Sequence, residues 1–108
     1  MLELLYHMLT WADFTLKRIE RDKEMDMTAF DKMDWRVIDP TKHSWEKGLK
    51  TLKSTHDKIM GLLKSKDDLF LDEKVDYREY DFRYLLKGLI QHDIYHLGQI
   101  AYIHKFLV

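Results

Sequence analysis

The sequence predicts an all-α protein, folded as an up-and-down helical bundle. Three segments place apolar residues at helical spacing, and the stretches between them lack that periodicity. The 108 residues, 45% of them hydrophobic, suit one domain with a real core. Neither an internal repeat nor a low-complexity tract interrupts the pattern. We therefore predict a single helical domain over 1–108, with three long helices.

The first predicted helix covers about residues 1–22 and has an unusually wide apolar arc. An arc of this width indicates contact with more than one neighbour. The helix also begins at once, without a capping residue ahead of its first turn. The apolar positions are Leu4, Leu5, Met8, Leu9, Trp11, Ala12, Leu16 and Ile19.

The next segments predict a long connection and two further helices. Residues 23–42 show no sustained period and contain the only proline, so we expect a connection that packs partly against the core through Phe30, Met33, Trp35 and Val37. A second helix is predicted over about 44–64, capped by Thr41 or Ser44. A charged connector follows, in which "LFLDEKVDY" could be extended. Asp81 is a plausible cap for the third helix, over 82–107.

Composition excludes several classes of protein. Lys and Arg number 18 against 19 Asp and Glu, so the net charge of −1 argues against a nucleic-acid binder that neutralises phosphates. No apolar run approaches membrane-spanning length and the start does not resemble a secretory signal, so we expect a cytoplasmic protein without a membrane partner. Because cysteine is absent, any metal ligand must be nitrogen or oxygen.

Two histidines lie inside the apolar stripe of the last helix. His92 and His96 are spaced i, i+4, so their side chains project to one side and two imidazoles could converge on one metal ion. Gln99 lies one turn further along the same face. Burying such polar groups is costly unless something satisfies them. The spacing alone leaves two alternatives open, a metal site and ordinary hydrogen-bonded core histidines.

His7 on the first helix shares its side with Leu4, Trp11 and Phe14. Facing helices of a bundle often build metal sites, so His7 could meet the histidine pair of the last helix. The alternative is a boundary histidine satisfied by ordinary hydrogen bonds. The remaining histidines are expected at the surface or too far away to join the same ion: His43, His56 and His104.

The segments "HDIYHLGQI" and "LLYHMLTWA" together resemble the DinB-like (DinB/YfiT) superfamily of metal-dependent enzymes. The C-terminal match is the specific one, because both histidines, Asp93 and the Gly-Gln-Ile that follows all coincide. The resemblance implies a four-helix bundle with a divalent metal, zinc or nickel and with iron possible, held by a histidine triad. Carried onto this chain, the triad is His7, His92 and His96.

The chain departs from this family in one respect. Family members have a helix before the one that bears the first histidine, and it is absent here. We expect this fourth helix to be either missing or supplied by a partner chain, and we therefore predict a homodimer.

Four other residues are candidates for the pocket or for support of the ligands. Asp93 points about 100° away from His92 and could bond to another helix, orient an imidazole or remain solvated. Tyr95 and Gln99 could line the pocket, although core packing is the favoured interpretation for Tyr95. Trp11 is interpreted chiefly as a core anchor.

The resemblance also implies a chemistry. Three protein ligands leave a coordination position open, which is typical of catalytic sites. Characterised relatives include thiol S-transferases that use low-molecular-weight thiols such as bacillithiol or mycothiol. Since this chain has no cysteine, a thiol would arrive as cosubstrate and attack a small electrophilic substrate. The alternatives are a metal-dependent hydrolase and a non-catalytic metal-binding or oligomerising helical module.

Overall fold

The described part of the chain folds into a bundle of four α-helices. The structure, a computed structural model, describes residues 1–24 and 27–107. Within these ranges there is no strand, only an isolated antiparallel bridge between Lys74 and Asp81. The all-α fold with three long helices is therefore confirmed. The helices are α1 (Leu2–Ile19), α2 (Met27–Asp34), α3 (Trp45–Lys64) and α4 (Phe82–Leu107), with a 3-10 helix at Asp68–Asp72 between α3 and α4.

Helix α1 is the central element of the bundle. It packs against α2, α3 and α4, and most of its residues are buried. Its wide apolar arc has three neighbours, which confirms the prediction of more than one. The arc is therefore largely covered within this chain.

The hydrophobic core forms two clusters along α1. The first lies at the N-terminal half of α1, where Leu5, Tyr6 and Leu9 contact Trp45 and Leu52 of α3. The second joins the C-terminal half of α1 to all the later elements. Its buried members are Phe14, Leu16, Ile19, Phe30, Ile59, Phe70, Val75, Phe82 and Leu85.

The prediction of a connection without a helix over 23–42 is wrong, because α2 lies within it. Eight residues are too few for a helical period to stand out, and tertiary contacts stabilise so short a helix. Of the four residues expected to pack inward, only Phe30 is buried, against the rings of Trp11 and Phe14. The other three are exposed: Met33, Trp35 and Val37. Residues 25 and 26 of the predicted connection lie outside the described residues.

Local signals place the starts of α3 and α4. The Ser44 side chain accepts a hydrogen bond from the Lys47 backbone N–H at 3.1 Å, and Asp81 Oδ1 accepts one from Tyr84 N–H at 2.8 Å. Both caps were predicted. Of the stretch "LFLDEKVDY", for which an extended conformation was considered, the first part lies in the 3-10 helix Asp68–Asp72, which buries Phe70 against Phe82, and Lys74 forms the bridge to Asp81.

Helix α4 has one buried face and one that remains in contact with solvent. Its inner face carries the buried Phe82, Leu85 and His96, whereas large apolar side chains elsewhere on the helix are exposed. In the described part of the chain, no helix combines the length and the apolar character needed to cross a membrane.

Candidate metal centre

The structure brings together the three histidines that the sequence singled out. Helix α1 contributes His7, and α4 contributes His92 and His96 from successive turns. One potential ligand atom from each lies within 4.8 Å of the others. The Nε2 atoms of His7 and His92 are 2.9 Å apart, and the ring centroids of His92 and His96 are 4.4 Å apart. The register between α1 and α4 therefore assembles a compact group of imidazoles.

Each of these imidazoles presents its other nitrogen, Nδ1, to an oxygen atom. His7 Nδ1 lies 2.5 Å from Asp34 Oδ1, and His96 Nδ1 lies 2.6 Å from Gln99 Oε1. His92 Nδ1 faces Asp93 Oδ1 at 3.6 Å, and both of these atoms are buried without a hydrogen-bond partner among the described residues. Two of the three Nδ1 atoms are thus within hydrogen-bond distance of an acceptor, and the third faces a carboxylate oxygen at a longer distance, which leaves the Nε2 atoms for the centre.

This arrangement fits a divalent metal ion. A neutral imidazole carries one N–H, so an Nδ1–H that donates to an oxygen leaves the Nε2 lone pair free. If His7 and His92 are both neutral and bond only to each other, one of their Nε2 atoms must carry the hydrogen, and then the Nδ1 on that ring has none to donate. A cation that accepts every Nε2 lone pair removes this conflict. Histidines that bind metals typically donate Nδ1–H to a carboxylate or carbonyl in this way.

Burial and neighbouring charges favour the neutral form of His92. Burial lowers the pKa of His92 below 6.5, and the nearby His96 and His7 lower it further, while Asp93 opposes them. Only the neutral imidazole has a lone pair to offer a metal. His92 is therefore in its ligand form at neutral pH.

Two residues at the end of α2 complete the surroundings of His7, and the sequence did not predict either role. Asp34 accepts from His7, as described above, and the Trp35 ring stacks on His7 with centroids 3.8 Å apart and planes 12° from parallel. Both belong to the stretch interpreted as an irregular connection. No sequence period linked them to α1, so no signal could have found them.

The candidate supporting residues on α4 have different surroundings. Asp93 contacts another helix as well as facing His92, because its Oδ2 lies 3.4 Å from His56 Nε2 on α3, within ion-pair range. His56, expected at the surface, has a side chain that is 42% exposed, with its Nε2 buried beside Asp93. Tyr95 is 65% exposed, so the core-packing interpretation is wrong, although its ring edge contacts His96. Gln99 contacts His96 as described above.

A cavity of about 190 Å³ opens beside His92. Its walls are mainly apolar and aromatic, and the residues that line it include Trp11, Phe14, Tyr84 and Leu89. Trp11, expected to be a core anchor, also has a buried indole Nε1–H without a hydrogen-bond partner among the described residues. A molecule in this cavity would therefore meet an apolar and aromatic wall and the edge of the histidine cluster.

Comparison with known families supports the assignment that the residues suggested. A family model described as the DinB superfamily matches residues 1–100. Comparison with curated proteins and with solved structures finds no match. Taken with the histidine cluster, the family match indicates a divalent-metal site. Because the match covers nearly the whole chain, this protein belongs to the DinB superfamily.

Proposed function

We propose that the chain is a cytoplasmic metal-dependent transferase that joins a low-molecular-weight thiol to a small electrophile. The observation that carries the proposal is the cluster of His7, His92 and His96, in which every Nδ1 faces an oxygen. Zinc or nickel is the expected metal, and iron(II) is also compatible with three imidazoles. Three protein ligands leave at least one coordination position for a reactant.

The bound metal would stabilise a thiolate and polarise a substrate atom. Asp34, Asp93 and Gln99 would orient the imidazoles. The apolar cavity beside His92 would bind the carbon body of the electrophile and exclude water from it. The thiol loses its proton to solvent, its sulfur bonds to the electrophilic carbon, and the leaving group departs with the bonding electrons. No cysteine of the chain can replace this thiol.

The first test is metal content. Protein washed with chelator and reloaded with zinc, nickel or iron(II) is expected to hold about one ion per chain by elemental analysis. His92→Ala and His96→Ala should each reduce this to a small fraction, because two imidazoles bind far more weakly than three. His104→Ala is the matched control, since His104 lies on the same helix, is exposed and is two turns beyond His96. Full metal content in the His92→Ala/His96→Ala double variant would reject the site.

The second test separates transfer from hydrolysis. The loaded protein is assayed with chlorodinitrobenzene and a panel of small thiols, where each turnover forms a thioether and releases chloride. Turnover should require both thiol and metal and should be lost in His92→Ala. Metal-dependent cleavage of an activated ester without thiol would instead favour the hydrolase. If the metal binds but neither reaction occurs, the chain acts as a non-catalytic metal-binding module.

A further inference from the structure

A larger cavity, of about 410 Å³, lies between α1, α2 and α3. Its α1 wall contains Tyr6, Thr10 and Lys17, which fall on a stripe roughly 100° around the helix from His7. None of the three clustered histidines lines it. Small-molecule sites commonly enclose about 300–1,000 Å³, so the cavity has the size of a ligand site.

The apolar part of this cavity comes from three side chains on two helices. Leu9 of α1 and Phe30 of α2 are buried in the core and line the cavity, and Met33 of α2 joins them. An apolar group placed here would leave water for a surface that is already hydrophobic. The cavity therefore suits a ligand with a hydrocarbon body.

The polar part carries excess positive charge. Among the described residues, Lys17, Arg36 and Lys47 line the cavity, against a single carboxylate, that of Asp13. Asp13 is already paired with Lys17 at 3.0 Å. In the described ranges, neither Arg36 nor Lys47 has an ion pair with a carboxylate. In the described chain these two cationic side chains thus make no direct ion pair, although the negative charge of Asp34 attracts the Arg36 guanidinium.

Arg36 is held in place by the protein on one side only. Its Nε–H donates to the Met33 carbonyl at 3.0 Å and its Nη2–H to Thr10 Oγ1 at 2.7 Å. The guanidinium also lies over the Tyr6 ring, 5.3 Å from the centroid. Nη1 has no hydrogen-bond partner among residues 1–24 and 27–107. Because the group is already fixed, little side-chain entropy would be lost when Nη1 binds an anion.

We propose that this cavity is a second binding site, separate from the histidine cluster, for a small organic anion with an apolar body. The anionic group, a carboxylate or one of similar size, binds the free Nη1 of Arg36 and the ammonium of Lys47. The hydrocarbon body packs on Leu9, Phe30 and Met33. Hydrogen bonds to charged groups are stronger than neutral ones, so the two cations provide most of the selectivity.

The cavity and the histidine cluster are lined by adjacent residues of one segment, so the binding experiment needs one control. Met33 and Arg36 line the cavity, while Asp34 and Trp35 between them contact His7. A carboxylate probe could also ligate a metal held by the histidines, so binding in the cavity must be distinguished from binding to the ion.

Titration calorimetry of the metal-loaded protein tests the proposal with three probes: octanoate has both features, octanol only the apolar body and acetate only the charge. Octanoate should bind at least about tenfold more tightly than either of the others. Arg36→Gln and Lys47→Gln should each weaken octanoate binding by about tenfold. Lys50→Gln, an exposed change on the same helix as Lys47 but outside the cavity, should leave it unchanged.

Three outcomes would overturn the proposal. Octanol binding as tightly as octanoate would show an apolar cleft without anion recognition. Full octanoate affinity in Lys47→Gln would likewise show that the cavity does not recognise the anion. This variant is informative even if Arg36→Gln fails to fold, because the Lys47 side chain makes no ion pair in the described chain. Loss of octanoate binding in the His92→Ala/His96→Ala double variant would show that the carboxylate binds at the metal instead.

Discussion

At the scale of single residues, the histidine cluster depends on the atoms behind the imidazoles. Asp34, Asp93 and Gln99 each present an oxygen to one Nδ1. Such partners fix the ring orientation and the tautomer, and they make the ligand nitrogen more basic. Asp34 is the only one of the three that comes from a helix other than α4, so its contribution is the easiest to isolate.

Replacing Asp34 by Ala should weaken metal binding by about 10–100-fold, because His7 loses the acceptor that orients it. The measurement is competition for the metal with a chromogenic chelator. Asp31→Ala is the matched control, since Asp31 is an exposed carboxylate on the same helix. Equal affinities in the two variants would show that Asp34 does not support His7.

The contact between His56 and Asp93 predicts a pH-dependent contribution to stability. The Asp93 carboxylate raises the pKa of His56 above 6.5, while partial burial opposes the change. A raised pKa stabilises the folded state fully below pH 6.5, and the contribution is lost as the pH rises through the folded pKa. Since the His56 side chain is 42% exposed, the contribution should stay below about 1 kcal/mol.

Thermal unfolding checks the predicted pH dependence. It is measured on the chelator-washed protein and on its His56→Gln variant between about pH 6 and about pH 9. The advantage of the wild type over His56→Gln should be largest at the acidic end and should shrink toward the alkaline end. An advantage that grows with pH would contradict the assigned role of Asp93.

At the scale of elements, the packing of α3 on α1 requires a glycine. A Cβ placed on Gly48 would lie 2.6 Å from Leu5 Cδ2 and 3.2 Å from the Tyr6 ring. Leu5 is 1% exposed, so a shift of its side chain would disturb the buried residues around it. By contrast, a Cβ on Gly61 of the same helix would meet nothing within 4 Å. The two glycines therefore have opposite effects on the stability of one helix.

Gly48→Ala should lower the free energy of unfolding by about 1–3 kcal/mol, because overpacking outweighs the gain in helix propensity. Gly61→Ala should raise it by roughly 0.5–1 kcal/mol through propensity alone. Urea unfolding followed by circular dichroism measures both. Stabilisation by Gly48→Ala would show that α1 and α3 are not so closely packed.

At the scale of the whole molecule, α4 exposes a second apolar stripe. The stripe contains Ile90, Ile94 and Leu97, each at least 58% exposed, and the exposed Ala101. Successive members of the stripe are four, three and four residues apart. This is the spacing of a coiled-coil seam, and it lies nearly opposite the face of His92 and His96. A helix with apolar residues on both faces is normally covered on both. We propose that the stripe packs against the same stripe of a second copy, as a homodimer.

Sedimentation velocity should then find a dimer, and Ile94→Glu should convert it to monomer, since each copy would bury a charge in the seam. Met60→Glu makes the same change at an exposed apolar residue of α3 and should leave the dimer intact. A wild type that is monomeric at every concentration tested, or dissociation by both changes alike, would refute the interface.

The sequence by itself determined the features that depend on neighbours along the chain. The three long helices follow from apolar periodicity, and the starts of α3 and α4 follow from Ser44 and Asp81. The shared face of His92 and His96 follows from i, i+4 spacing. Within one helix such relations are fixed by a rise and a rotation per residue, so no tertiary information is needed.

Only the tertiary structure decided how the helices meet. His7 and His92 are 85 positions apart, and His7 and Asp34 are 27 apart, so their contacts depend on the register of α1 against α4 and α2. The eight-residue helix α2 and the contact of His56 with Asp93 likewise depend on packing partners that local periodicity does not specify. Distant side chains meet only after the apolar faces are buried together, and the fit of those faces sets the register.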